Sequence, residues 1–167
     1  MEYRDADRGD VDAIQRIARA SWERDYPNIL SRETAADEAV EEWYGRDAIE
    51  RELRTPGSAL LVAETGDEVV GFSHAVVAGG EATILRVYVH PERRQEGVGS
   101  GLLEETVEEA TDRAAETVRA MVLSANEPGA TFYRSAGFEL VETGETVIDG
   151  QAYEESVYEL TEATETA

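Results

Sequence analysis

A chain of 167 residues fits one compact domain, long enough to bury about 70% of the surface its unfolded form would expose. Its 37 acidic residues outnumber 15 basic ones for a net charge of −22, every basic residue is arginine, and there is no cysteine. The lack of lysine excludes a Walker P-loop, a Schiff-base enzyme and a pyridoxal-phosphate lysine. The lack of cysteine excludes a thiol nucleophile, a disulfide and a zinc–thiolate site, and two histidines, His74 and His90, are too few for a multi-histidine metal site.

Residues 2–6 read as a short strand. Asp10 then stands as a helix N-cap before the stripe Val11, Ile14, Ile17, Ala18 and Trp22, which Pro27 ends. A second helical stretch over residues 32–54 carries a thin apolar stripe and stops at Pro56-Gly57. Three strand-like runs follow at 59–64, 69–78 and 82–89, with Thr65-Gly66-Asp67 and Gly79-Gly80 as hairpin turns between them. After Pro91 a glycine-bearing turn leads into Leu102, Leu103, Thr106, Val107, Ala110 and Ala114 at helical spacing. Residues 118–125 read as a buried strand, Pro128 suits the first turn of a short helix, and Gly137 suits its C-terminal cap. Two last strands, 140–148 and 153–160, flank the hairpin signal Asp149-Gly150. Residues 1–160 thus form one domain and 161–167 a polar tail. The order β-α-α-β-β-β-α-β-α-β-β predicts an α/β fold, a mixed sheet with helices on both faces.

Two stretches carry chemistry. In the first, Arg94-Gln-Glu-Gly97-Val-Gly99 falls between an apolar strand and an amphipathic helix. Glycines there let backbone N–H groups approach a ligand, and the following helix aims its positive dipole end at an anion. That makes a pyrophosphate cradle without lysine, although a plain glycine-rich strand-to-helix turn would read the same way. The spacing differs from the dinucleotide-binding G-x-G-x-x-G, and the stretch sits in mid-chain after hairpin-joined strands. The second stretch runs from Asn126 through Phe132-Tyr133 to Gly137-Phe138.

Together the two stretches resemble the GNAT N-acetyltransferase superfamily, which transfers acetyl from acetyl-CoA to amines. Arg94-Gln-Glu-Gly-Val-Gly99 matches its (Q/R)-x-x-G-x-(G/A) pyrophosphate loop. Asn126, Phe132-Tyr133 and Gly137-Phe138 match its N-x-x-A-x-x-(L/F)-Y-x-x-x-G-F signature, with Gly129 where alanine is usual. Segment order agrees from Tyr3 to Leu160. The resemblance implies a mostly antiparallel twisted sheet of about seven strands whose central parallel pair splays apart.

The resemblance also implies roles. The pantetheine arm would bond along Val87-Tyr88-Val89 like an added strand, and a backbone N–H there would polarise the thioester carbonyl. The amides of Gln95, Glu96, Gly97, Val98, Gly99 and Ser100 would hold the pyrophosphate, with Arg94 adding charge. Asn126 would orient the cosubstrate, and Tyr133 would protonate the departing thiolate, since a phenol carries its proton at neutral pH. Phe132 and Phe138 read as core. The family's usual base, a glutamate, is replaced by Thr83, so Glu81 on the same strand face, His74, or proton loss to water must serve. His90 reads as a turn residue. Trp22, Tyr26 and Tyr44 lie where an acceptor would enter, and an aromatic wall beside carboxylates suits a cationic amine. Core packing explains those aromatics equally well.

The expected reaction is direct attack of a primary amine on acetyl-CoA in a ternary complex, without metal or covalent intermediate. A small-molecule acceptor is favoured over a protein N-terminal α-amine, and a non-catalytic acetyl-CoA sensor is the rival reading. The acid spread along the chain looks like that of proteins from salt-accumulating, halophilic microbes, where salt screens carboxylate repulsion. It disfavours nucleic-acid partners. No apolar run reaches membrane-spanning length and the start is polar, so a cytoplasmic protein is expected. A homodimer stays open.

Overall fold

The computed structural model describes residues 1–25, 45–93, 96–148 and 151–160. Its strands are β1 (Glu2–Asp5), β2 (Ser58–Thr65), β3 (Glu68–Ala78), β4 (Glu81–Val89), β5 (Thr117–Leu123), β6 (Phe138–Ile148) and β7 (Gln151–Leu160). The helices among the described residues are α1 (Val11–Asp25), α2 (Arg46–Arg54), α3 (Val98–Asp112) and α4 (Glu127–Ser135). Seven strands form one mixed sheet in the order β1-β2-β3-β4-β5-β7-β6, with the strand count that the resemblance implies. Every neighbouring pair is antiparallel except β4 with β5. No described helix is long and apolar enough to cross a membrane.

Period-two alternation distributes the strand side chains between two cores. On one face Val11, Ile14, Ile17 and Ala18 of α1 and Ile49 of α2 pack on Leu60, Val62, Phe72 and Leu123. On the other, α3 covers Leu61, Ala63 and Val70 with Val98 and Leu102, while Leu103, Ala110, Ala130 and Tyr133 close over Ile84, Val118, Ala120 and Tyr158. One buried polar pair crosses that second interface. Ser73 and Thr106 hydroxyls lie 2.7 Å apart, and Thr106 also donates to the Leu102 carbonyl at 2.6 Å, so neither is left unsatisfied.

Between β3 and β4 the two-residue turn Gly79-Gly80 has φ of +60° and +82°, a left-handed pair that β-carbons would strain. Two expectations need correction. Asp10 does not simply cap α1. Asp7 caps a short 3-10 turn (Arg8–Asp10) by accepting from Gly9 N at 2.8 Å, and the Asp10 carboxylate returns to Asp7 N at 2.8 Å. The buried Asp10 also takes two hydrogen bonds from Arg4, at 2.8 and 2.9 Å, which spends its charge on fixing β1 to α1. The α3 stripe stops before Ala114: the helix ends at Asp112, and Ala114 turns left-handed with φ of 69°. Residues 26–44, 94–95, 149–150 and 161–167 lie outside the described residues, and so do the readings placed there.

Candidate active site

The sheet is interrupted at its centre. Strands β4 and β5 pair in parallel only from Glu81↔Thr117 to Ile84↔Ala120, although β4 runs on to Val89 and β5 to Leu123. A register shift against β3 at this point leaves Leu85 as an extra residue of β4, since His74 pairs with Arg86 and Ala75 with Ile84. Beyond the bulge Val87 and Val89 turn to the α3 face and Tyr88 to the α1 face, where its ring meets Phe72 edge-on at 5.5 Å. Val87-Tyr88-Val89 therefore lies past the end of the parallel ladder.

The chain leaves β4 through a 3-10 turn, Pro91–Arg93, with Glu92 N donating to His90 Nδ1 at 3.2 Å, which gives His90 the expected turn role. Arg94 and Gln95 lie outside the described residues. Gly97 caps α3 with φ of +84°, and a Cβ there would meet nothing of the protein within 4 Å. At Gly99 a Cβ would stand 3.4 Å from the Phe132 ring and 3.6 Å from Val89, so this position is hemmed in by α4 and β4. Val98 is buried, whereas Glu96 is exposed with its carboxylate 3.6 Å from Arg93. No side chain caps the first turn of α3, and that turn holds no acid, in a chain where acids are everywhere else. The Val98, Gly99 and Ser100 amides thus begin a helix whose N-terminus suits an anion. Space beside Gly97 and an acid-free first turn fit a pyrophosphate.

Asn126 caps α4 by accepting from Gly129 N at 3.1 Å. A Cβ on Gly129 would press on Asn126 Nδ2 at 2.7 Å and Val122 at 2.9 Å, which explains glycine where the signature usually has alanine. One turn later Tyr133 is 5% exposed among Phe132, Phe138 and Tyr158, with ring centroids 5.2, 5.5 and 6.5 Å away. Burial pushes its phenol pKa far above the ordinary value, against a smaller downward pull from Arg86. The hydroxyl therefore keeps its proton across the whole neutral range. Phe138 is core, as expected, and Phe132 packs at the edge of the same cluster.

The remaining candidates are scattered. Glu81 opens β4 at the hairpin end, 46% exposed, with Arg119 Nε 3.8 Å from its carboxylate. Four residue steps, about 13 Å, separate it from Leu85 at the bulge. Thr83 lies between the two. His74 is mostly but not fully buried, with Nε2 3.2 Å from Ser58 Oγ and 3.4 Å from Glu52, and desolvation pushes its pKa down; Arg86 adds to that fall and Glu52 opposes it. That is the satisfied sheet histidine weighed as an alternative. Trp22 falls on α1 with its side chain outside the described residues, as are Tyr26 and Tyr44 altogether.

One residue that sequence reasoning passed over joins these groups. Arg86, just past the bulge, acts electrostatically on Tyr133, His74 and Glu155 alike. Its signal was available as the one charge within the apolar run 84–89. A recess of about 330 Å³ is lined by Leu123, Ser124 and Ala125 at the end of β5 and by Tyr153 and Glu154 of β7.

The acetyltransferase (GNAT) domain family matches residues 56–140, about half the chain and the part that contains the pyrophosphate loop and the second motif to its end. Over 163 residues the chain is 27% identical to the spermidine N(1)-acetyltransferase of Thermoplasma acidophilum, covering 92% of this chain and 98% of that protein. It is 28% identical over 138 residues to the thialysine N-epsilon-acetyltransferase of Bos taurus, covering 80% and 81%. The fold superposes on the crystal structure of the PaiA N-acetyltransferase from Thermoplasma acidophilum, in complex with coenzyme A, with a TM-score of 0.81 at 23% identity, covering 93% and 96%.

Proposed function

The chain belongs to the acetyltransferase (GNAT) family and is an acetyl-CoA-dependent N-acetyltransferase; on that premise we propose that its acceptor is the primary amine of a small cationic molecule. Relatives named for spermidine and thialysine support this choice. So does a surface at −22, which gathers cations and repels nucleic acid.

In this reading the pantetheine arm lies along Val87-Tyr88-Val89 where β4 outruns its ladder with β5. The amides from Glu96 to Ser100 take the pyrophosphate at the start of α3, joined by Arg94 and Gln95. Asn126 holds the chain turn beside it while capping α4. The amine attacks the thioester carbonyl directly, a backbone N–H of β4 steadies the oxyanion, and Tyr133 returns a proton to the leaving sulfur. The single observation that carries the reading is convergence: the uncapped, acid-free start of α3, the end of the β4–β5 ladder and the buried Tyr133 all meet around Gly99, Val89 and Phe132.

A thiol-release screen in molar KCl tests it, with spermidine, putrescine, lysine, aminoglycosides and N-terminal peptides as acceptors. The expected outcome is free CoA with small polyvalent amines. Release with peptides alone would redirect the reading to protein α-amines, and acetyl-CoA binding without release would make the chain a sensor. The high-salt buffer follows from a further part of the proposal, that the chain works in a salt-rich cytoplasm. Thirty-seven carboxylates without one lysine should repel one another at low ionic strength, so the melting temperature should climb from tens of millimolar to molar KCl. A flat curve would remove that part and leave the charge to the substrate.

A further inference from the structure

Strand β7 carries two adjacent acids, Glu154 and Glu155, which alternation sends to opposite faces of the sheet. The register decides which acid goes where. Tyr158 pairs with Ala120 and Ser156 with Val122, all on the α3 and α4 face. Glu155 pairs with Leu123, whose side chain joins the α1 core together with Tyr153. Glu155 therefore faces the acceptor side. Its partner Leu123 lies three residues beyond Ala120, the last residue of β5 to pair with β4, which sets Glu155 level with the gap between the two strands.

Across that gap stands Arg86, close enough to act on both the Glu155 carboxylate and the Tyr133 hydroxyl. A recess lined by Leu123, the register partner of Glu155, by Ser124 and Ala125, and by its strand neighbours Tyr153 and Glu154 is large enough for an alkylamine chain. We infer that Glu155 is the proton acceptor of the reaction, replacing from β7 the carboxylate that β4 lacks at Thr83. The inference rests on the acetyltransferase reading above.

The chemistry balances. Glu155 takes one proton from the acceptor's ammonium, and the freed nitrogen lone pair forms the C–N bond at the thioester carbonyl. The C–S bond breaks with its electron pair on sulfur, Tyr133 protonates that sulfur, and the nitrogen's second proton restores the phenol. The proton on Glu155 passes to water, so one proton is released per amide formed. Partial burial raises the Glu155 pKa above the ordinary carboxylate value, against a downward pull from Arg86. That shift brings it nearer to the value a general base needs. Among the described residues the charge that acts on it is Arg86 from β4; Leu123 on β5 and Gly144 on β6, its register partners, carry none, and Tyr153 is the nearest titratable neighbour on its own face of β7.

The test compares wild type, Glu155→Gln and Glu155→Asp with spermidine as acceptor from about pH 6 to about pH 10, where the amine begins to arrive unprotonated. Glu155→Gln should lower kcat/KM near neutral pH by about 10²–10⁴-fold, and the deficit should shrink as pH rises. Acetyl-CoA affinity should stay within about twofold, and Glu155→Asp should recover part of the rate. An equal loss at every pH, or a rise in KM alone, would make Glu155 an anchor and overturn the inference. So would an unchanged rate. A wild type that releases no thiol with any amine would overturn the acetyltransferase reading itself, which a turning-over wild type with an indifferent Glu155→Gln would leave intact.

Discussion

The two faces of the sheet are built from different materials. On the α3 and α4 face the candidate cosubstrate site is mostly backbone: a left-handed Gly97, a helix start without a side-chain cap, and a strand that outruns its ladder. On the α1 and α2 face the candidate acceptor site is all side chains: Arg86, Tyr88, Tyr153 and Glu155, drawn from two strands. A backbone site demands particular residues at fixed spacing, because only glycine tolerates the φ or the close approach. A side-chain site can be assembled from any residues whose register brings them together. The first kind writes a motif, and the second does not.

Variants on the two faces should therefore separate cleanly. The largest effect belongs to Tyr133→Phe, which keeps the ring contacts and removes only the hydroxyl. Turnover should fall about 10²–10⁴-fold while acetyl-CoA affinity, read by calorimetry, stays within a few-fold. Because burial drives the phenol pKa up, wild-type turnover should show no alkaline limb from Tyr133 below about pH 10. Equal loss of binding and turnover would make the hydroxyl a cosubstrate ligand.

Next comes a contact behind both faces. Asp10→Asn should cost about 1.5–3 kcal/mol in urea unfolding, because it removes the charge from two hydrogen bonds at a buried position while Arg4 keeps Glu64 as an ion-pair partner at 3.2 Å. Burial raises the Asp10 pKa, but the two Arg4 hydrogen bonds and the Asp7 amide outweigh it, and the net shift is downward. Its stabilisation is thus present above the ordinary carboxylate range and lost as pH falls through the lowered value. The variant should flatten that acid limb, and an unaltered limb would show the pair contributes nothing.

Gly97→Val should weaken acetyl-CoA binding at least about tenfold, or about 1.4 kcal/mol, since it fills the space beside the helix start and strains φ. Unchanged affinity would reduce the loop to a turn. The smallest effect is expected from His74→Gln, at about 0.5–1.5 kcal/mol for the Ser58 hydrogen bond, with acetyl-CoA affinity untouched. The folded His74 pKa is depressed, so wild-type stability is complete above about 6.5 and declines as pH falls towards the lowered value. The variant should remove that decline, and a change in acetyl-CoA affinity would blur the division between the faces.

This division also accounts for what the sequence revealed. Strand limits, turns and order followed from alternation and from Gly66, Gly79 and Gly80, so the sheet was legible to its last strand. Gly97 and Asn126 were legible as a turn and a cap, because a left-handed φ and a helix start restrict which residues can stand there. The base was not. Strand-face parity alone offered Glu81, but parity says nothing about which end of a strand meets the gap; Glu81 stands at the hairpin end, 3.8 Å from Arg119. Glu155 could be told from Glu154 only once β7 had a register against β5, a contact 32 residues apart in sequence. Ala114 was misread for a local reason, since periodicity cannot see the left-handed residue that ends α3.

The central claim is that the cosubstrate is gripped by backbone on one face alone. Amide hydrogen exchange with and without CoA, in molar KCl, tests it most directly. The account predicts added protection at Val87–Val89 and at Val98–Ser100, with the β7 amides around Glu155 unchanged. Protection confined to β7 and α2, with the start of α3 exchanging as before, would contradict it.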